Sequence, residues 1–211
     1  MSKSIVRSQI KKCLSQLSID YISHQSNHIA SLLLTLPEYQ NASKIALYMN
    51  MPHGEVQTLP LIRKIFEDGK RLFLPRITKL EDGSFQRFPG QKSYLQMLEV
   101  PNLSQVLTLK PRGVYKLLEP ESNSGVNGLE SGIDIVVLPG VAFTKDCYRM
   151  GHGAGFYDDY IKRYQESTGN PRPLLIGIGL KEQLVDSLPI EAHDEKLDYV
   201  LIDSDIYRRS S

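Results

Sequence analysis

Several short runs in this chain are apolar at nearly every position rather than at every second one. KIALYM (44–49), RLFLP (71–75), IDIVVLPGVAF (133–143), PLLIGIGL (173–180) and LDYVLID (197–203) share this character. A strand with one wet face alternates, whereas a strand that is apolar throughout needs cover on both faces. Helical spacing fills the gaps between the runs. LPLIRKIFEDG (59–69) repeats at Leu61, Ile62, Ile65 and Phe66, with Gly69 as its end, and FYDDYIKRYQES (156–167) and KEQLVDSLP also read as helices. Two more helices open the chain. Val6, Ile10, Leu14 and Leu17 mark the first, and the second runs from about Asp20 to Leu36, stopped by Pro37. The alternation predicts an α/β fold: a single domain with a mostly parallel central sheet flanked by helices. Residues 76–132 are less periodic. They contain a hairpin turn at EDGSF (81–85) and a polar, glycine-rich loop at ESNSGVNGLESG (121–132). No repeat or linker divides residues 1–211, so one domain is expected.

Composition narrows the partners. The 25 basic and 24 acidic residues leave a formal charge of +1, which argues against a broad nucleic-acid or membrane surface. Cys13 and Cys147 stand far apart, so a disulfide framework is not expected and a reducing compartment fits. No apolar run reaches the length of about 18 residues that a membrane helix needs. The first 20 residues are basic and serine-rich, with no acid before Asp20. That pattern suits a mitochondrial transit peptide and equally an ordinary first helix. A cytoplasmic location is expected, with a mitochondrial one as the alternative, and the chain is expected to be a monomer.

The chemistry concentrates in RMGHGAGFYDDY (149–160). A strand, a loop and a helix follow one another here, and open α/β sheets bind ligands at the carboxyl ends of their strands. Gly151, Gly153 and Gly155 let the backbone approach a ligand closely. The helix behind them turns its positive end to the same spot. Arg149 adds a planar cation suited to phosphate oxygens. Asp158, in the first helical turn, is a carboxylate that could hold magnesium. The plainer alternative is a loop with ordinary first-turn acids that favour the helix dipole.

The stretch LPGVAFTKDCYRMGHGAGFYDDYIKR closely resembles the signature of the 5-formyltetrahydrofolate cyclo-ligase (methenyltetrahydrofolate synthetase) family, P-G-x-x-F-D-x-x-G-x-R-L-G-x-G-x-G-Y-Y-D-x-x-L. Lys3 and Arg7 fit the family's K-x-x-x-R, Glu55-Val-Gln-Thr58 fits its E-[IV]-x-T, and LPR (74–76), LEP (118–120) and AHDEKLD (192–198) follow in order. Thr144 stands where the family has Asp, Cys147 where it has glycine, Met150 for Leu and Phe156 for Tyr. His152 and Ala154 stand where basic residues or glycine are usual.

The resemblance implies a NagB/RpiA/CoA-transferase-like fold. It also implies ATP-dependent closure of 5-formyltetrahydrofolate to 5,10-methenyltetrahydrofolate, with ATP as co-substrate and Mg2+ as metal. By the same resemblance Lys3, Arg7, Arg149, Gly151, His152, Gly153, Ala154, Gly155, Phe156 and Tyr157 would bind ATP. Glu55, Met49, Asn50 and Tyr115 would line the folate site, and Asp158 and Asp194 would hold the metal. No single catalytic acid or base is assigned, His193 included.

Overall fold

The computed structural model describes residues 2–81, 86–113, 116–122, 125–167, 169–191 and 195–210. Its centre is a sheet whose strands are, in chain order, β1 (Lys44–Ala46), β2 (Arg71–Lys79), β3 (Ser93–Val100), β6 (Ile135–Leu138), β9 (Leu174–Gly179), β10 (Tyr199–Ile202) and β11 (Asp205–Arg208). They lie side by side as β11-β10-β9-β6-β1-β2-β3. The pairings from β10 through β9, β6 and β1 to β2 are parallel, and only the two edge pairings are antiparallel. Two small antiparallel pairs stand outside this sheet. They are β4 (Lys110–Arg112) with β5 (Leu117–Glu119), and β7 (Ala142–Phe143) with β8 (Arg149–Met150).

The all-apolar strands are buried on both faces, as their composition requires. In β6, Ile135 and Val137 enter one core while Val136 and Leu138 enter the other. The first core is closed by Ile22, Ile29 and Leu33 of α2 (Ile19–Thr35) and by Leu61, Ile62 and Ile65 of α4 (Leu59–Glu67). The second is closed by Tyr160, Ile161 and Tyr164 of α7 (Phe156–Ser167), together with Phe143. A third, smaller cluster packs Val6 of α1 (Lys3–Leu14) against Val141, Ala142 and Met150. The helix that opens the chain is therefore part of the folded body.

The structure departs from the sequence reading in several places. Pro37 ends α2 but also opens α3 (Pro37–Asn41), where a missing N–H costs nothing. Strand β2 runs on to Lys79 and pairs with β3; the turn at 82–85 lies outside the described residues. Within the polar loop, α6 (Gly128–Ser131) forms with Asn127 as its cap, and Leu98 bridges to Asn127. A short α5 (Leu103–Leu107) also precedes β4. The segment expected as a short helix after β9 is one 3-10 turn, Lys181–Gln183. LDYVLID is not the last strand, because β11 follows it at the edge.

Phe143 explains the glycines of the GIG run in β9. A Cβ on Gly177 or Gly179 would come within 2.6 or 2.7 Å of its ring, and one on Gly140 within 2.5 Å. Glycine within a strand marks such a close approach. Gly140→Ala should therefore destabilise the fold by about 1–3 kcal/mol, the usual cost of overpacking. The penalty should shrink in a Phe143→Leu background, as a double-mutant cycle in urea would show; equal penalties in both backgrounds would break the account.

Candidate active site

Strand β1 leads on to β2 on one side, while β6 pairs with its other side. The crevice at the carboxyl ends of β1 and β6 is thus the switch point of the sheet, where ligands of open α/β folds sit. Two loops meet there: residues 47–58 from β1, and residues 139–155 from β6.

The β1 loop is closed by a clasp. The Asn50 Oδ1 accepts from the Thr58 N–H (3.1 Å) and the Thr58 hydroxyl (3.2 Å), and Asn50 Nδ2 donates to the Met51 carbonyl (3.0 Å). The polar atoms of Asn50 are thereby taken up in shaping the loop. The clasp carries Glu55, whose side chain is only 8% exposed. Its Oε2 accepts from the Met51 N–H at 2.8 Å. Met49 packs, partly buried, against the core beside it. The phenols of Tyr48 and Tyr157 are both pushed well above the ordinary tyrosine range, first by burial and then by the Glu55 charge. Both stay protonated at neutral pH and can donate hydrogen bonds.

The β6 loop begins as a hairpin. The Thr144 N–H donates to the Tyr148 carbonyl (3.0 Å), and the Cys147 N–H to the Thr144 carbonyl (3.0 Å). Cys147 sits in the left-handed region at φ 65°. This is a three-residue hairpin connection with its αL position at 147, the place that favours glycine. Cysteine there costs about 1–2 kcal/mol in backbone strain, offset by its full burial in the second core. Thr144 Oγ1 accepts from the Tyr148 N–H at 3.2 Å. A side-chain oxygen is what this position needs, and threonine supplies it where the family signature has aspartate. Both departures belong to turn construction.

The hairpin delivers Arg149, 4% exposed, into a partly buried ion pair with Asp158 at 2.6 Å. Its guanidinium also lies 5.8 Å from the centre of the Tyr157 ring. Asp158 remains 28% exposed. Beyond Arg149 the loop runs through Gly151, His152, Gly153, Ala154 and Gly155 to Phe156, the first residue of α7. Residues 152–155 are exposed, and Gly153 and Gly155 have φ of 109° and 67°. Helix α1 reaches this loop from the far end of the chain. Arg7 Nε donates to the Gly151 carbonyl at 2.9 Å, and a Cβ on Gly153 would lie 3.4 Å from the Arg7 guanidinium. One turn earlier, Lys3 pairs with Glu191 at 3.4 Å. His152 leans back across the crevice, its Nε2 3.7 Å from Glu55 Oε1.

The expected site residues Arg7, Glu55, Arg149 and the glycine loop are thus brought together by these contacts, Lys3 is paired with Glu191, and Tyr115, His193 and Asp194 lie outside the described residues. One buried acid escaped the sequence reading. Glu119 of β5 is 3% exposed, with Arg76 Nε 3.7 Å away, and burial raises its carboxyl above the usual range. Its one signal was the LEP marker, which carries no chemistry by itself.

A family model described as the 5-formyltetrahydrofolate cyclo-ligase family matches residues 1–203. The chain belongs to that family. The 5-formyltetrahydrofolate cyclo-ligase of Saccharomyces cerevisiae is 37% identical over 202 residues, covering 95% of this chain and 94% of the yeast protein. That of Mus musculus is 30% identical, covering 95% and 93%. The NMR structure of Aquifex aeolicus 5,10-methenyltetrahydrofolate synthetase superposes with a TM-score of 0.74 at 26% identity, covering 100% of this chain and 94% of that one. A cyclo-ligase family member thus keeps the glycine loop, Arg149 and Asp158 while building its hairpin from Thr144 and Cys147.

Two measurements check the hairpin. Thr144→Val should lower stability by about 1 kcal/mol, since the Tyr148 N–H loses its acceptor, and Thr144→Asp should restore it; a shared urea midpoint for wild type and Thr144→Val would refute the role. The Cys147 thiol, buried and pushed up to about 11 by that burial, should resist alkylation at pH 8 until the protein unfolds. Exposed Cys13 should label in the native state; fast native labelling at both thiols would show the hairpin to be open.

Proposed function

We propose that the chain catalyses the ATP-dependent cyclisation of 5-formyltetrahydrofolate to 5,10-methenyltetrahydrofolate, with release of ADP and phosphate. The observation that carries this reading is the meeting of Glu55 with the Arg149–glycine loop at one switch-point crevice. The yeast and mouse relatives, both 5-formyltetrahydrofolate cyclo-ligases, support it.

The chemistry asks little covalent work of the protein. A formamide carbon is a poor electrophile, and its oxygen a poor leaving group. Transfer of the γ-phosphoryl group to that oxygen makes the carbon an iminium-like electrophile. N10 of the folate then attacks the carbon, the C–O bond breaks, phosphate departs and the N10 proton is lost. Positioning and neutralisation of charge are what the site must provide.

Arg7 and Arg149 suit phosphate oxygens, and the backbone from Gly151 to Gly155, with Phe156 and Tyr157 opening α7, suits the triphosphate. Lys3, one turn from Arg7 and paired with Glu191, would join them at the phosphates. The Glu55 carboxylate matches the paired N–H donors of a pterin edge. Its pinned Oε2 leaves Oε1 to face a ligand. Met49 and the Asn50 clasp shape the wall beside it, and Tyr115 is assigned to the same wall by family resemblance alone.

Magnesium fits the donor set. Among the described residues no group of three or more metal-ligating side chains gathers. Magnesium bound with nucleotide needs only one or two carboxylates, the phosphates completing the shell. Asp158, partly exposed and paired with Arg149 through Oδ1, would supply one carboxylate, and Asp194 would be the second. The ion would neutralise phosphate charge. The reading extends to a monomer acting on a small molecule in the cytoplasm. An Arabidopsis thaliana relative is named as mitochondrial.

The test is direct. Purified protein with 5-formyltetrahydrofolate and magnesium should produce the methenyl-folate absorbance band only when ATP is added. No ATP-dependent rise would overturn the reading. Arg7→Ala should raise KM for ATP about tenfold or more, the scale of one charge-assisted hydrogen bond. An unchanged KM would remove α1 from the nucleotide site.

A further inference from the structure

We infer that His152 is a positioning residue that couples the nucleotide loop to the folate carboxylate, so that nucleotide tightens folate binding and folate tightens nucleotide binding. The inference rests on the proposed roles of Glu55 and the glycine loop, and it assigns something neither role contains.

The geometry around Glu55 is one-sided. Its Oε2 is fixed by the Met51 N–H at 2.8 Å, and its Oε1 faces the imidazole of His152 at 3.7 Å. Among the described residues, His152 is the one basic side chain within 4.0 Å of that carboxylate. Glu55 is buried while His152 is 57% exposed, so the imidazole covers the accessible edge of the acid from the solvent side. A flat heterocycle that donates to Oε1 must displace it. The contact is longer than a hydrogen bond and half exposed, so it is cheap to break.

The other end of the lever is the loop itself. His152 lies between Gly151, whose carbonyl accepts from Arg7, and Gly153, where an added Cβ would lie 3.4 Å from the Arg7 guanidinium. Phosphates drawn to Arg7, Arg149 and the loop amides compete with those contacts and move the backbone that carries His152. That motion draws the imidazole off Glu55. The two ligands thus work against the same contact, and linkage makes the effect reciprocal. A single half-exposed polar contact sets its size at roughly two- to fivefold.

Calorimetric titration of 5-formyltetrahydrofolate, with and without a non-hydrolysable ATP analogue and magnesium, measures the coupling as a ratio of two Kd values. Wild type should show a two- to fivefold tightening. His152→Ala, at an exposed position, should bring the ratio close to one by strengthening folate binding in the absence of nucleotide. His152→Lys, which keeps a cation within reach of Glu55, should retain coupling. An equal ratio in wild type and His152→Ala would overturn the inference alone. Absence of folate binding to wild type would overturn the functional reading and the inference with it.

Discussion

The site hangs from the packing of one ring. Phe143 has no exposed surface, and the backbone closes on it at Gly140, Gly177 and Gly179 so tightly that none of the three could carry a methyl group without movement. This contact nails the β7–β8 hairpin onto the carboxyl end of the sheet. The hairpin in turn fixes Arg149, and Arg149 fixes the start of α7 through Asp158. Dense apolar packing transmits position in a way that a loop held by solvent-exposed hydrogen bonds cannot. A flexible glycine loop is tolerable here because both of its ends are rigid.

The same economy appears on the other wall. Glu55 is held by a backbone N–H inside a loop that Asn50 and Thr58 close, and two protonated tyrosines stand beside it. The site therefore presents an acid with one pinned oxygen opposite a loop of amides and cations. An acid for a donor edge and cations for an anionic chain are complementary halves, and the sheet topology brings them together without further elements.

Much of this was legible in the residues. The helix at 156–167 was readable to its ends, because an apolar strand and three glycines bracket its start. The all-apolar strands announced a covered, parallel sheet. What stayed hidden has physical reasons. Strand β11, DIYR, is short and lies at the sheet edge, where half-exposed residues leave no clear periodicity. Nothing in the chain reveals that the Asn50 amide closes a loop onto Thr58, eight positions further on. Thr144 and Cys147 stood out only as departures from a signature. Only the hairpin's hydrogen bonds and the positive φ at 147 show them to be a workable alternative construction. Glu119 and Arg76 fall in the least periodic third, where burial depends on contacts far apart in sequence.

The bond from Arg7 to the Gly151 carbonyl spans 144 positions of sequence. During synthesis at roughly 5–20 residues per second, the loop follows the arginine by roughly 7–29 s. The two ends of the binding crevice are thus made at nearly opposite ends of the protein's birth. A nascent chain can build α2, α4 and the first strands long before it can hold a triphosphate. A chain that ends before residue 151 lacks the glycine loop and also α7, β9 and β10, which complete the two main cores, so the loop and the closed body are finished together.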